Sequence, residues 1–137
     1  MTNVEKMTLS ISLVSSLTSI LSLMVTIVIY KVTSISARRM HSMELFEIWK
    51  NVNEITPNKL ITVDIINALH AVEFTAIYYK YKILDRKILI ELYRDIYVKM
   101  YDILIGMDIV IPGTNTNCKS SINKTMKEVY RELTNRG

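Results

Sequence analysis

The chain has 137 residues, with 17 basic and 13 acidic side chains and a formal net charge of +4. About 100 residues follow its most apolar stretch, enough for one compact helical domain and too few for two. So small a positive excess favours contact with anionic lipid over dedicated nucleic-acid binding. The single cysteine, Cys118, excludes a disulfide within the chain and fits a reducing compartment.

An uncharged stretch near the N-terminus predicts one membrane-spanning helix. Residues 7–30 contain no charge, proline or glycine; fifteen of these 24 residues are apolar and nine are Ser or Thr. At about 1.5 Å of rise per residue, such a helix crosses a hydrocarbon core about 30 Å thick. The stretch is longer than the apolar core of a signal peptide, so we expect it to stay on the protein as an anchor.

The charges that flank the span predict its orientation. Lys31, Arg38 and Arg39 follow it, whereas Lys6 precedes it and is opposed by Glu5. Because basic residues favour the cytoplasmic side, we expect a cytoplasmic C-terminal domain and a short N-terminus outside. Lys31, Arg38 and Arg39 are also the candidates for contact with lipid headgroups.

Hydroxyl side chains form a seam along the predicted span. This hydroxyl seam has spacings of 4, 3, 4, 3 and 4 residues and consists of Thr8, Ser12, Ser15, Ser19, Ser22 and Thr26. Membrane helices associate through small residues and interhelical hydrogen bonds, and a repeat of about 3.5 residues favours a left-handed pair. We therefore predict a homo-oligomer. Two alternatives are a plain anchor whose hydroxyls bond their own helix and an oligomer whose seam lines a water-filled pore.

The remaining sequence predicts an all-α protein: an anchor at 1–31, a juxtamembrane helix at 32–56 and a cytoplasmic helical bundle at 57–137. Apolar residues recur at helical spacing in the juxtamembrane helix: Met40, Met43, Phe46, Trp49 and Val52. A turn at 55–58 follows, in which Thr56 is expected to cap the next helix and Pro57 to occupy its first position.

Three helices are predicted in the bundle, at about 58–81, 86–105 and 120–135. Asp85 is the expected N-cap of the second of these, and Gly106 is placed to end it. Its inward face is predicted to consist of Leu89, Leu92, Ile96, Met100 and Ile103. The loop at 106–118 is expected to hold a short extended piece at 109–111. The inward face of the last helix is predicted to consist of Ile122, Met126, Val129, Tyr130 and Leu133.

Three polar residues interrupt the first bundle helix at i, i+3 and i+6: Asn67, His70 and Glu73. This polar triplet is expected on nearly one face, as a structural cluster, a partner-recognition site, or an acid–base or metal site. Metal sites need three or four ligands, and His41 and Cys118 are the other soft candidates. The sequence has no HExxH, paired CxxC or glycine-rich phosphate loop. We expect no cofactor, no metal and no enzymatic activity.

Three tyrosines recur every four residues on the second bundle helix: Tyr93, Tyr97 and Tyr101. Such a row beside basic residues can stack on nucleic-acid bases. Because Asp95 and Asp102 share this surface, we predict half-buried packing with the hydroxyls at the rim, and no nucleic-acid partner.

Residues 66–73 (INALHAVE) and 83–85 (ILD), following a hydrophobic anchor, carry a resemblance. Over residues 7–105 the chain resembles a family of small bacterial membrane proteins of unknown function, some of them named as phage abortive-infection proteins. The resemblance implies a single-pass inner-membrane protein in a phage-defence setting and supplies no catalytic residue. The chain departs from it by having Tyr81-Lys82 where relatives often turn through glycine.

Together these features predict a self-associating, membrane-anchored and non-enzymatic helical protein, an effector or accessory component of phage defence or exclusion. Its expected partners are membrane lipid and further copies of itself. The alternative is a membrane-tethered adaptor, whose bundle docks a cytoplasmic protein.

Overall fold

A computed structural model describes residues 2–56 and 58–135. Its four α-helices are α1 (Asn3–Lys50), α2 (Thr62–Lys80), α3 (Arg86–Gly106) and α4 (Lys124–Thr134), and a 3₁₀ turn at Lys119–Ser121 precedes α4. Within the described residues, extended backbone pairs only in two isolated bridges. The all-α class is confirmed. The chain divides into two compact units, one ending at Ala37 and the other beginning at Arg38.

The first unit is the N-terminal part of α1. Thr2 and Glu5 close its start as a capping box, in which each backbone N–H donates to the side chain of the other residue, at 2.6 and 3.3 Å. The most apolar window of α1 has a mean hydropathy of 2.1, and none of it is buried. The helix is long and apolar enough to cross a membrane.

In the second unit, the C-terminal part of α1 packs on α2. Leu45 is fully buried and Trp49 nearly so, and the Trp49 Nε1–H donates to Thr75 Oγ1 at 2.9 Å. The predicted apolar spacing is only partly the buried face, since Met40, Met43 and Phe46 are exposed. A helix presents one stripe to a neighbour, and here that stripe contains Leu45 and Trp49.

Helix α2 begins at Thr62, four residues later than predicted. The predicted Thr56 cap is wrong: Thr56 accepts a hydrogen bond from the Lys59 N–H at 3.0 Å in a tight turn, which ends before the helix starts. The residue at the N-cap is Ile61, whose side chain makes no capping bond. Pro57, expected at the first helical position, lies outside the described residues.

The turn after α2 passes through Lys82, which has a φ of 54°. This left-handed conformation normally favours glycine. Helix α3 then begins as predicted: Asp85 Oδ1 accepts from the Lys87 N–H at 2.8 Å, and Gly106 is the last residue of the helix. Both of these local predictions are confirmed.

The buried face of α3 differs from the predicted one. Leu89 and Met100 are buried as expected, but Leu92 is 65% exposed and Ile96 is also exposed. Tyrosines take their place. Tyr97 is fully buried, and its hydroxyl donates to the Met126 carbonyl at 2.9 Å, so the expected position of this hydroxyl at the rim is also wrong.

Helix α4 closes the core against α2 and α3. Asn123 caps it by accepting from the Met126 N–H at 3.0 Å, so the helix begins four residues later than predicted. Its inward face is confirmed: four of the five predicted residues are buried, and Tyr130 is half-buried and stacks on Tyr101 with 4.1 Å between ring centroids. Before α4, the Cys118 N–H donates to the Ile109 carbonyl at 2.9 Å, which confirms the short extended piece.

Candidate functional site

The hydroxyl seam lies along the N-terminal part of α1. At 3.6 residues per turn its six positions fall within an arc of about 80°. All six side chains are exposed. They form three pairs of small residues four apart, the spacing that lets two membrane helices approach closely. The pairs are Thr8 with Ser12, Ser15 with Ser19, and Ser22 with Thr26.

The seam hydroxyls are of two kinds. Three of them donate to the backbone carbonyl four residues earlier, at 2.8–2.9 Å: Thr8, Ser19 and Thr26. The other three have no hydrogen-bond partner within the described residues: Ser12, Ser15 and Ser22. A hydroxyl that donates to its own helix can still accept, so the seam offers both donors and acceptors. Hydrogen bonds within the helix therefore engage only three of the six seam hydroxyls.

The three basic residues named as lipid contacts are Lys31, Arg38 and Arg39. All three are exposed. Within the described part of the chain, none of them forms an ion pair or a side-chain hydrogen bond. Each cation is therefore uncommitted and free to meet an anionic group outside the chain.

Two residues of the polar triplet, Asn67 and Glu73, form hydrogen bonds to different neighbours. The Asn67 Nδ2–H donates to the Asn51 carbonyl at 3.2 Å, which ties α2 to the end of α1. Glu73 Oε1 accepts from Asn123 Nδ2 at 2.9 Å, which ties α2 to the start of α4. Steps of three residues turn a helix by about −60° each, so Asn67 and Glu73 reach different neighbours. His70 is exposed between them.

His70 and Glu73 line an open cleft of about 250 Å³ between α2, the 109–118 turn and the start of α4. Apolar side chains, among them Leu69 and Met126, and the polar Thr114 and Thr116 complete its wall. No group of three or more His, Cys, Asp and Glu side chains suited to a metal ion occurs in the described residues. The cleft therefore offers His70 as its one exposed imidazole, beside a carboxylate already engaged by Asn123.

A cluster that the sequence analysis missed joins α1 to α2. The Tyr78 hydroxyl donates to Glu44 Oε2 at 2.6 Å, and His41 Nδ1 lies 3.3 Å from the same oxygen. The hydrogen bond from Tyr78, and then that from His41, lowers the pKa of Glu44. Burial and the Glu44 carboxylate raise the pKa of Tyr78. Only the i, i+3 spacing of His41 and Glu44 hinted at this cluster, because Tyr78 lies 34 residues further on.

A second missed feature is a row of exposed apolar side chains on α3. It consists of Ile88, Leu92 and Ile96, spaced four residues apart on one side of the helix. Burying such side chains is the main source of association free energy in water. The α3 row is therefore a candidate surface for a protein partner.

Comparisons of the chain with protein-family models, with curated proteins and with solved structures find no match. The candidate functional features are accordingly those of its own residues: the hydroxyl seam, the uncommitted basic side chains and the α3 row. The seam is the most extensive of these, since it runs over 19 residues from Thr8 to Thr26.

Proposed function

We propose that this chain is a single-pass membrane protein whose span self-associates through the hydroxyl seam. It acts without enzymatic chemistry, as an effector or accessory component of bacterial phage defence or exclusion. The observation that carries the self-association is the exposed seam, with uncommitted donors at Ser12, Ser15 and Ser22. The phage-defence setting rests on the resemblance of residues 66–73 and 83–85.

The physics of the bilayer supports the first part of this proposal. Apolar side chains gain little by leaving lipid tails for each other, so close packing and hydrogen bonds must drive association. Three free donors on each helix allow about six interhelical hydrogen bonds in a symmetric pair. At about 0.6 kcal/mol each, these bonds contribute about 4 kcal/mol in addition to the packing of the small residues.

The basic side chains support the proposed topology. Lys31, Arg38 and Arg39 are exposed and uncommitted, and they follow the span rather than precede it. Near an anionic cytoplasmic leaflet each such residue contributes about 1 kcal/mol of attraction. The proposed arrangement is an inner-membrane anchor with the helical bundle in the cytoplasm.

The effector activity is tested by inducible expression of the full chain in bacteria, with a membrane-potential dye and crosslinking of isolated membranes. The test variant replaces three seam hydroxyls by leucine: Ser15→Leu, Ser19→Leu and Ser22→Leu. The matched control replaces three hydroxyls of the same span that lie outside the seam: Ser10→Leu, Ser16→Leu and Thr18→Leu. Each variant exchanges three hydroxyl side chains of the span for leucine, and the two variants differ chiefly in the position of the lost hydroxyls.

We expect crosslinked oligomers and depolarisation from the native chain and from the control variant, and loss of both from the seam variant. Equal oligomerisation of all three chains would show that the seam is not the association surface. Oligomers without depolarisation would retain self-association and exclude an effector that acts by depolarising the membrane.

The α3 row favours a second candidate, a membrane-tethered adaptor whose bundle docks a cytoplasmic protein. Ile88, Leu92 and Ile96 would form the docking surface. Replacing residues 7–30 by an unrelated single-pass helix separates the two candidates. An adaptor keeps its phenotype after this exchange and loses it on Leu92→Asp, whereas an effector that depends on its span loses it on the exchange.

A further inference from the structure

The second unit shows which side of α1 faces its own bundle. Between Arg38 and Lys50, the residues that pack inward are His41, Leu45, Ile48 and Trp49. On another side of the helix, Met40 is 62% exposed and Met43 is 70% exposed. These two residues, the methionine face, are large apolar side chains that the described residues leave uncovered.

The methionine face continues the register of the hydroxyl seam in the sequence. Counted onward from Thr26 in alternating steps of three and four, the next positions are Ile29, Thr33, Ser36, Met40 and Met43. None of them is charged, and the count first meets a charge at Glu47. In a two-stranded coiled coil these are the a and d positions, which lie between the two helices.

Charge complementarity favours a second copy as the occupant of this face. In a parallel pair, the residue just before one a position faces the residue just after the next d position of the partner. These flanking positions are Arg39 and Glu44, which carry opposite charges. Arg39 is exposed and has no ion pair within the described residues, and the Glu44 side chain is about half exposed. Tyr78 and His41 both contact Glu44 Oε2, so the oxygen proposed to meet Arg39 is Oε1.

The packing of α1 leaves room for such a partner. In the same register, the inward residues Leu45, Ile48 and Trp49 occupy f, b and c positions, on the side of the helix away from a and d. Each bundle would therefore lie outside a helix pair rather than between its two strands. Helix α1 can therefore contact its own bundle and a second copy of the chain at the same time.

We propose that a second copy of this chain covers the methionine face as a parallel helix. Met40 and Met43 pack between the two strands, and Arg39 pairs with Glu44 of the partner subunit on either side. The parallel direction rests on the proposed function, since chains inserted in the same orientation can pair through the seam only in parallel.

Crosslinking through one introduced cysteine, in the full chain and in native membranes, tests this interface. Met40→Cys and Met43→Cys report on the proposed face, and Arg38→Cys is the exposed control on the far side of the same helix. Ser19→Cys reports separately on the hydroxyl seam. The chain with only its buried Cys118 is the blank.

Under mild oxidation we expect disulfide-linked dimers at Met40→Cys and Met43→Cys at least about tenfold above those at Arg38→Cys. Adding Arg39→Glu to Met43→Cys should lower the yield severalfold, since like charges then face each other.

Three outcomes would overturn the inference. Crosslinking at Ser19→Cys without crosslinking at the two methionine positions would remove the methionine interface and leave the proposed function in place. No crosslinking at any of these three positions would remove both. Equal yields at Met40→Cys and Arg38→Cys would mean random collision rather than a defined interface.

Discussion

The substitution Leu45→Ala tests whether the end of α1 is part of the folded bundle. Leu45 is 0% exposed, whereas its neighbour Phe46 is 59% exposed on the same helix. Truncating a fully buried leucine removes its transfer free energy and leaves a cavity, with a combined cost of about 3 kcal/mol. Phe46→Ala truncates a side chain larger than leucine, but one that is already exposed to solvent. It should therefore change the free energy of unfolding by less than about 0.5 kcal/mol.

The measurement is urea unfolding in detergent micelles, followed by the fluorescence of Trp49, the only tryptophan in the chain. For a domain of this size the free energy of unfolding falls by about 1.5 kcal/mol per molar urea. Leu45→Ala should therefore lower the unfolding midpoint by about 2 M, and Phe46→Ala should leave it almost unchanged. Equal midpoints for Leu45→Ala and the native chain would refute the packing of α1 on α2.

Three further predictions follow from the contacts of the bundle. Asn123→Ala removes the α4 cap and the contact to Glu73, so it should lower the free energy of unfolding by about 1 kcal/mol and the Tm by about 4–8 °C. The control Asn115→Ala, at an exposed position, should leave the Tm unchanged. The lowered pKa of Glu44 means that its contribution to stability is present above the usual carboxyl range and is lost as the pH falls through the lowered value. Removing the main cause of that shift by Tyr78→Phe should make the Tm less pH-dependent between about pH 5 and pH 3; an unchanged slope would contradict this. Replacing Lys82 by glycine relieves a left-handed backbone and should raise the Tm; a lower Tm would mean that the turn is not strained.

Local rules predicted some features that depend only on neighbouring residues, although the Thr56 cap was wrong and the Asn123 cap was not predicted. Asp85 caps α3 because a side-chain oxygen just before a helix reaches its first N–H groups, and Gly106 ends the helix as expected. The α4 face was predictable because that short helix has only one apolar stripe. Helix α3 has two such stripes, and the choice between them depends on distant partners. Tyr97 lies inward, where its hydroxyl donates a hydrogen bond to the Met126 carbonyl, 29 residues away.

The candidate functional features also divide into those that local sequence predicts and those that depend on distant residues. The positions of the hydroxyl seam follow from helical geometry alone, so the sequence was enough to place them on one side of α1. The polar triplet could not be placed from sequence, because the partners of Asn67 and Glu73 come from the end of α1 and the start of α4. Self-association through the seam and contact of the basic residues with lipid stay predictions.

The late position of α4 has a consequence for biosynthesis. Its side chains complete the core, and Tyr130 supplies the ring that stacks on Tyr101. At about 5–20 residues per second, translation of the roughly 100 residues between the apolar stretch and the end of α4 takes about 5–20 s. During that interval α1 is already available for membrane insertion while α2 and α3 still expose their apolar faces on the ribosome. In the proposed self-association, nascent chains on one polysome would meet through α1 before either bundle had closed, so pairing would precede folding.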